Sequence, residues 1–170
     1  MTGSQCGVCG APASTLGAPD ATTGLKLGGW WRRVGATITD DVILVIPTVL
    51  VADLFAAMDG TVLGIIAGVA VQGIYMVLLL ASPRGQTIGN RIAASRVRDA
   101  VTGQAISRQQ AVRRWGFVAA YGVVGTFSVG VTVPTLLVTV VGLADILYPL
   151  FNSRKQTLHD RFANTIVVMA

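Results

Sequence analysis

The chain has 170 residues, of which 52% are apolar and only 12% charged. A soluble domain usually carries about 25% charged residues, so a water-facing surface over the whole chain is excluded. The formal net charge is +5 and all eight acids are Asp. A basic chain invites a nucleic-acid reading. Here the basic residues avoid the apolar runs instead, which favours a membrane-surface bias and no nucleic-acid partner.

Residues 1–25 are rich in Gly, Ala, Thr, Ser and Pro and read as a flexible N-terminal tail. They lack the basic start and apolar core of a secretory signal. Cys6 and Cys9, the only cysteines, lie here as a single Cys-x-x-Cys. Structural zinc needs four ligands. Zinc at Cys6 and Cys9 would therefore need ligands from another chain, and no other cofactor is expected.

Lys26 to Arg33 is a basic, aromatic approach to a membrane, with Trp30 and Trp31 placed as interfacial aromatics. The first apolar run, Gly35 to Met58, contains Pro47, Asp40, Asp41 and Asp53. The second, Thr61 to Ser82, is closed by Pro83. Each is close to the roughly 20 residues needed to cross a bilayer. Only Asp59 and Gly60 separate them, so they predict a helical hairpin. In the polar segment 83–114, Gln86 to Ala94 predicts a short interfacial helix. Ser95–Arg98, a turn at Thr102–Gly103 and Gln104–Ser107 predict a local strand pair. The apolar run from Phe117 to Phe151 is too long for one span. Pro134, after Gly130 and Thr132, predicts a second hairpin with spans at 114–131 and 134–151.

The expected fold is thus an all-α membrane protein with four transmembrane helices in residues 26–170, with short interfacial helices. All 13 basic residues fall before the first span, between the hairpins, or after the last span. The positive-inside rule then puts both termini and the central segment in the cytoplasm of a bacterial inner membrane.

The two hairpins read as copies. Arg32-Arg33-Val34-Gly35 opens one and Arg113-Arg114-Trp115-Gly116 opens the other. Gln86-Thr87-Ile88-Gly89-Asn90-Arg91-Ile92-Ala93 follows the first, and Gln156-Thr157-Leu158-His159-Asp160-Arg161-Phe162-Ala163 follows the second. A β-prone stretch comes after each, around Arg96–Arg98 and Thr165–Val168. The duplication predicts that these two stretches pair with each other on the cytoplasmic face.

Four segments resemble the RDD family of bacterial membrane proteins: WWRRVGATITDD, GQTIGNRIAASRVRD, TGQAISRQQAVRR and RKQTLHDRFANTIVV, together covering about residues 28–168. The family is named for an arginine and two aspartates. The resemblance places the arginine at Arg33 (or Arg32) and the first aspartate at Asp40. The second falls at Asp160, with Asp41 as the competing choice. A transport role has been proposed for the family, and cation/proton exchange for some members.

Carboxylates inside a span are costly unless paired or hydrated. Arg33 and Asp40 share a helix face roughly 10 Å apart, which suggests a protonatable site or a charge network involving Arg32, Arg33, Asp40 and Asp41. Asp145, inside the last span, calls for a buried partner, with Arg32, Arg33 and Arg114 as candidates. Asp160 is expected to pair with a nearby arginine at the start of an interfacial helix. Gly60, Gly64, Gly68 and Gln72 form a small-residue stripe for close helix packing. No Ser-His-Asp set, phosphate loop or paired-Glu motif occurs, so an enzyme is not expected. The expected function is transport or exchange of ions or small solutes. Four short helices enclose little space, so that role would call for a homo-oligomer. The alternative is a non-transporting accessory or assembly subunit of a larger membrane complex.

Overall fold

The computed structural model describes residues 24–128 and 132–170. The expected tail with Cys6 and Cys9 lies outside the described residues but for its last two positions. In chain order the elements are α1 (Trp30–Ala56), α2 (Thr61–Leu80), α3 (Ile88–Ile92), β1 (Ser95–Asp99), α4 (Arg108–Phe127), α5 (Thr132–Phe151), α6 (Leu158–Phe162) and β2 (Thr165–Met169).

α1 and α2 form a hairpin because Asp59 turns the chain with φ 57°, a conformation Asp tolerates better than most residues. The glycine stripe lies inside that hairpin. A Cβ added at Gly64 would stand 2.9 Å from the Ala52 carbonyl oxygen, and one at Gly68 3.0 Å from Thr48 Cγ2. The missing side chains let α2 lie directly on α1. Gly60 makes a similar approach, 3.1 Å from the Phe55 carbonyl oxygen. Gln72 is half-buried. Its neighbour Gly73 receives the Trp115 ring of α4, 2.7 Å from where a Cβ would sit, and so joins the two hairpins.

α1, α2 and α5 are each long and apolar enough to cross a membrane. α4 differs from the expected span at 114–131. It starts at Arg108, where Ser107 and Gln110 form a reciprocal capping box, and its first two turns therefore carry Arg108, Arg113 and Arg114. Pro134 sits in the opening turn of α5, where its missing N–H costs no helix bond.

The local strand pair expected within 95–107 does not form. The Asp99 carboxylate accepts the amides of Val101 (2.9 Å) and Thr102 (2.7 Å), so the chain turns there and leads into the cap of α4. β1 pairs instead with β2, antiparallel, with Val97 opposite Val167 at the centre. The apolar run Ile166-Val167-Val168 makes β2 the better partner, because it buries both faces. Leu80, Val97, Ile106, Ala111 and Val167 pack on one face; Ala100, Ile166 and Val168 pack on the other under Leu27. Gly28 donates to the Val167 carbonyl (2.9 Å) and Met169 to the Lys26 carbonyl (2.8 Å), adding a short third edge. The sheet, α3 and α6 thus form a compact layer at the end of the bundle that holds the arginines.

A buried charge network as candidate functional site

α3 and α6 follow the same local rule. Thr87 caps α3 by accepting from the Asn90 amide (3.1 Å), and Thr157 caps α6 by accepting from the Asp160 amide (3.0 Å). Gln86 donates to the Ser95 carbonyl and Gln156 to the Thr165 carbonyl, both at 2.7 Å. In the recurring Gln-Thr dipeptide, then, Gln anchors the following strand and Thr starts the following helix.

A span carboxylate completes each cap. Asp40, 3% exposed, accepts from the Gly89 amide (2.8 Å), the Thr87 hydroxyl (2.6 Å) and the Tyr75 hydroxyl (2.6 Å). Tyr75 in turn accepts from the Ile88 amide (3.1 Å), so all three first-turn amides of α3 are satisfied. Asp145, 2% exposed, accepts from the His159 amide (2.9 Å) and lies 2.6 Å from His159 Nδ1. A carboxylate at a helix N-terminus is favoured by both the free amides and the helix dipole. The two halves reach the same bond from different helices. Asp40 comes from the first helix of its hairpin and Asp145 from the second. Tyr75 stands as far before Gln86 as Asp145 stands before Gln156.

Asp160 is fully buried at the centre. Its carboxylate pairs with both Arg33 and Arg114, accepts from the Thr157 amide (3.2 Å), and lies 3.3 Å from the Thr165 hydroxyl. Arg114 also donates to that hydroxyl (3.1 Å). Arg33 does not bridge to Asp40, as the shared helix face had suggested. It reaches across to Asp160, while Asp40 turns towards α3. Arg32 donates to the Ala93 carbonyl (2.7 Å). Asp41 is exposed and belongs to neither cluster. The partner of Asp145 is His159, which sequence reasoning missed. Tyr75 and Thr87 were missed as well.

Burial, then the positive charge of Arg114, hold the His159 imidazole well below its ordinary range, at about 4, against the pull of Asp145. His159 is therefore neutral at pH 7, with Nδ1–H donating to Asp145. Between pH 6.5 and 4 the unfolded chain binds a proton here that the folded chain refuses. Stability is full above about pH 6.5 and is lost as pH falls towards 4, by at most roughly 3 kcal/mol from this group. Unfolding midpoints in detergent between pH 7 and 4.5 should fall more steeply for the wild type than for His159→Asn. Parallel curves would remove His159 as the cause.

The described residues contain no group of three or more His, Cys, Asp or Glu side chains able to hold a metal. Apolar helices of spanning length, joined by a buried ionic layer at one end, define a membrane protein. The family model for the RDD family matches residues 27–164, and the chain belongs to that family. No curated protein and no solved structure matches it.

Proposed function

We propose that this RDD protein is a multi-pass bacterial inner-membrane protein with its charged layer in the cytoplasm, acting as a non-transporting accessory subunit of a larger membrane assembly. Four spans are assigned by adding α4, whose apolar part runs on from Trp115. The two hairpins are read as copies, supported by the matching Gln and Thr bonds and by the pairing of Val97 with its counterpart Val167. With the arginines at one end, the positive-inside rule orients that end to the cytoplasm. The observation that carries the accessory role is the state of the span carboxylates. Asp40 and Asp145 are buried and bonded to the interfacial helices, as a structural lock requires. An ion site needs hydration or a path for its ion.

Ion exchange is the second reading. It is favoured by the Asp145–His159 pair, a buried carboxylate and imidazole able to share a proton. Reconstitution into liposomes with an internal pH dye separates the two. The accessory role predicts no dye response to Na⁺ or K⁺ gradients beyond that of empty liposomes. It also predicts a crosslink of fixed mass from a photoreactive residue at Leu137, on the exposed side of α5, in native membranes. A cation-driven response abolished by Asp145→Asn would overturn it and assign exchange.

A further inference from the structure

The turn after α2 and the start of α3 enclose a surface pocket of about 330 Å³. Leu79, Pro83 and Ile88 give it an apolar wall, and Arg84 and Arg91 line it as well. Both arginines are exposed. Neither has an ion-pair or hydrogen-bond partner for its guanidinium among the described residues, whereas Arg33, Arg114 and Arg161 all do. Arg98 donates to the Pro83 carbonyl (3.2 Å) directly behind the pocket, and its pKa is lowered by burial and by the like charge of Arg96. No acid lines the pocket. Its one uncharged polar amide, that of Gln86, is already committed to the Ser95 carbonyl.

Two unpaired guanidiniums beside an apolar wall, where an apolar helix ends, complement a molecule with an anionic head and a greasy body. We propose that this pocket binds the phosphate group of an anionic phospholipid. Arg84 and Arg91 hold the headgroup, and the glycerol and upper acyl chain lie along Leu79 and Ile88. A free phosphate offers the same anion but leaves the apolar wall wet. A zwitterionic lipid offers the body but brings its own cation to the arginines. The assignment rests on α2 crossing the membrane and ending at this level, which can be tested separately.

The purified full chain is titrated by native mass spectrometry with phosphatidylglycerol and with phosphatidylcholine of the same acyl chains. Arg84→Gln/Arg91→Gln is compared with Arg108→Gln, which removes a cation from the same end outside the pocket. At the strength usual for surface arginines near anionic lipid, the double variant should bind phosphatidylglycerol roughly 30-fold more weakly. Arg108→Gln should stay within about threefold of the wild type, and phosphatidylcholine should bind the wild type more weakly than phosphatidylglycerol. A double variant that binds like the wild type would overturn the proposal. Displacement of the lipid by an equal concentration of glycerol phosphate would also overturn it, in favour of a plain anion site. Incorporation into neutral-lipid nanodiscs as a monodisperse helical particle tests the spanning of α2 by itself. If the wild type fails there, the membrane reading falls and the pocket assignment with it.

Discussion

Replacing Asp160 should destabilise this protein more than replacing any other acid in the chain. Its carboxylate is fully buried and faces two guanidiniums, from Arg33 at the start of α1 and Arg114 near the start of α4. Those arginines open the two hairpins, so Asp160 is the point where the hairpins are tied to each other and to α6. Removing one member of a buried ion set leaves the others desolvated without a counter-charge, which typically costs about 3–5 kcal/mol. Nη2 of Arg33 is already buried without a partner, so this network has little spare capacity. Asp160→Asn keeps the shape and should lose roughly 3 kcal/mol. Asp160→Ala also removes the carboxylate half of the capping box of α6, for about 1 kcal/mol more. Thermal or denaturant unfolding in detergent reads both, and a midpoint drop of roughly 10 °C is expected at this chain length. Asp41→Asn, at an exposed position, should stay within about 0.5 kcal/mol. An Asp160→Asn variant as stable as Asp41→Asn would refute the role of the network. The apolar triple variant Arg33→Met/Arg114→Met/Asp160→Leu should recover much of the loss, because it removes the buried charges together.

The spans were legible from sequence because crossing a bilayer imposes length and apolarity, and the arginines show which ends are alike. α1, α2 and α5 follow that signal closely. α4 is not among the described helices long and apolar enough to cross, since a capping box at Ser107 and Gln110 starts it before its apolar stretch. The pairing of β1 with β2 was legible only through the likeness of the two Gln-Thr segments, each followed by a β-prone stretch. Local turn chemistry suggested a nearer partner, and the side chain of Asp99 decided against it. The charge partners were largely illegible. Helix periodicity places Arg33 and Asp40 on one face, but it says nothing about elements folding back beneath that face. α3 and its cap bring two donors to Asp40 and Tyr75 of α2 a third, and α6 brings Asp160 to Arg33. One signal was available for the missed residues. Aligning the two Gln-Thr segments sets Tyr75 against Asp145, marking both as groups that meet a short helix.

The same alignment sets Gly89 against His159, and Gly89→Ala tests why the two halves differ. In most exposed helices Gly→Ala stabilises by about 1 kcal/mol. Here the sign should reverse. α3 lies so close to α1 that a Cβ at Gly89 would overlap the Ala36 carbonyl oxygen and stand 2.8 Å from Asp40 Cγ. That neighbour is backbone of a long helix, which cannot turn aside as a flexible side chain would. α3 must lift away, and the bond from the Gly89 amide to Asp40 (2.8 Å) lengthens with it. Overpacking of this kind costs about 1–3 kcal/mol. A buried carboxylate losing a donor adds a further 1–3 kcal/mol or so. An unfolding midpoint clearly below that of the wild type is expected. Gly35→Ala, with open space around its Cβ, should be neutral or stabilising in the same assay. α6 tolerates histidine at the matching place because its carboxylate, Asp145, arrives from α5 and accepts from both the His159 amide and ring. Where α3 approaches α1 closely, α6 instead makes a side-chain bond. His159→Ala should therefore cost less than Gly89→Ala, although it removes far more atoms. The opposite order would mean that α3 is free to shift and that its docking on α1 does not hold the layer together.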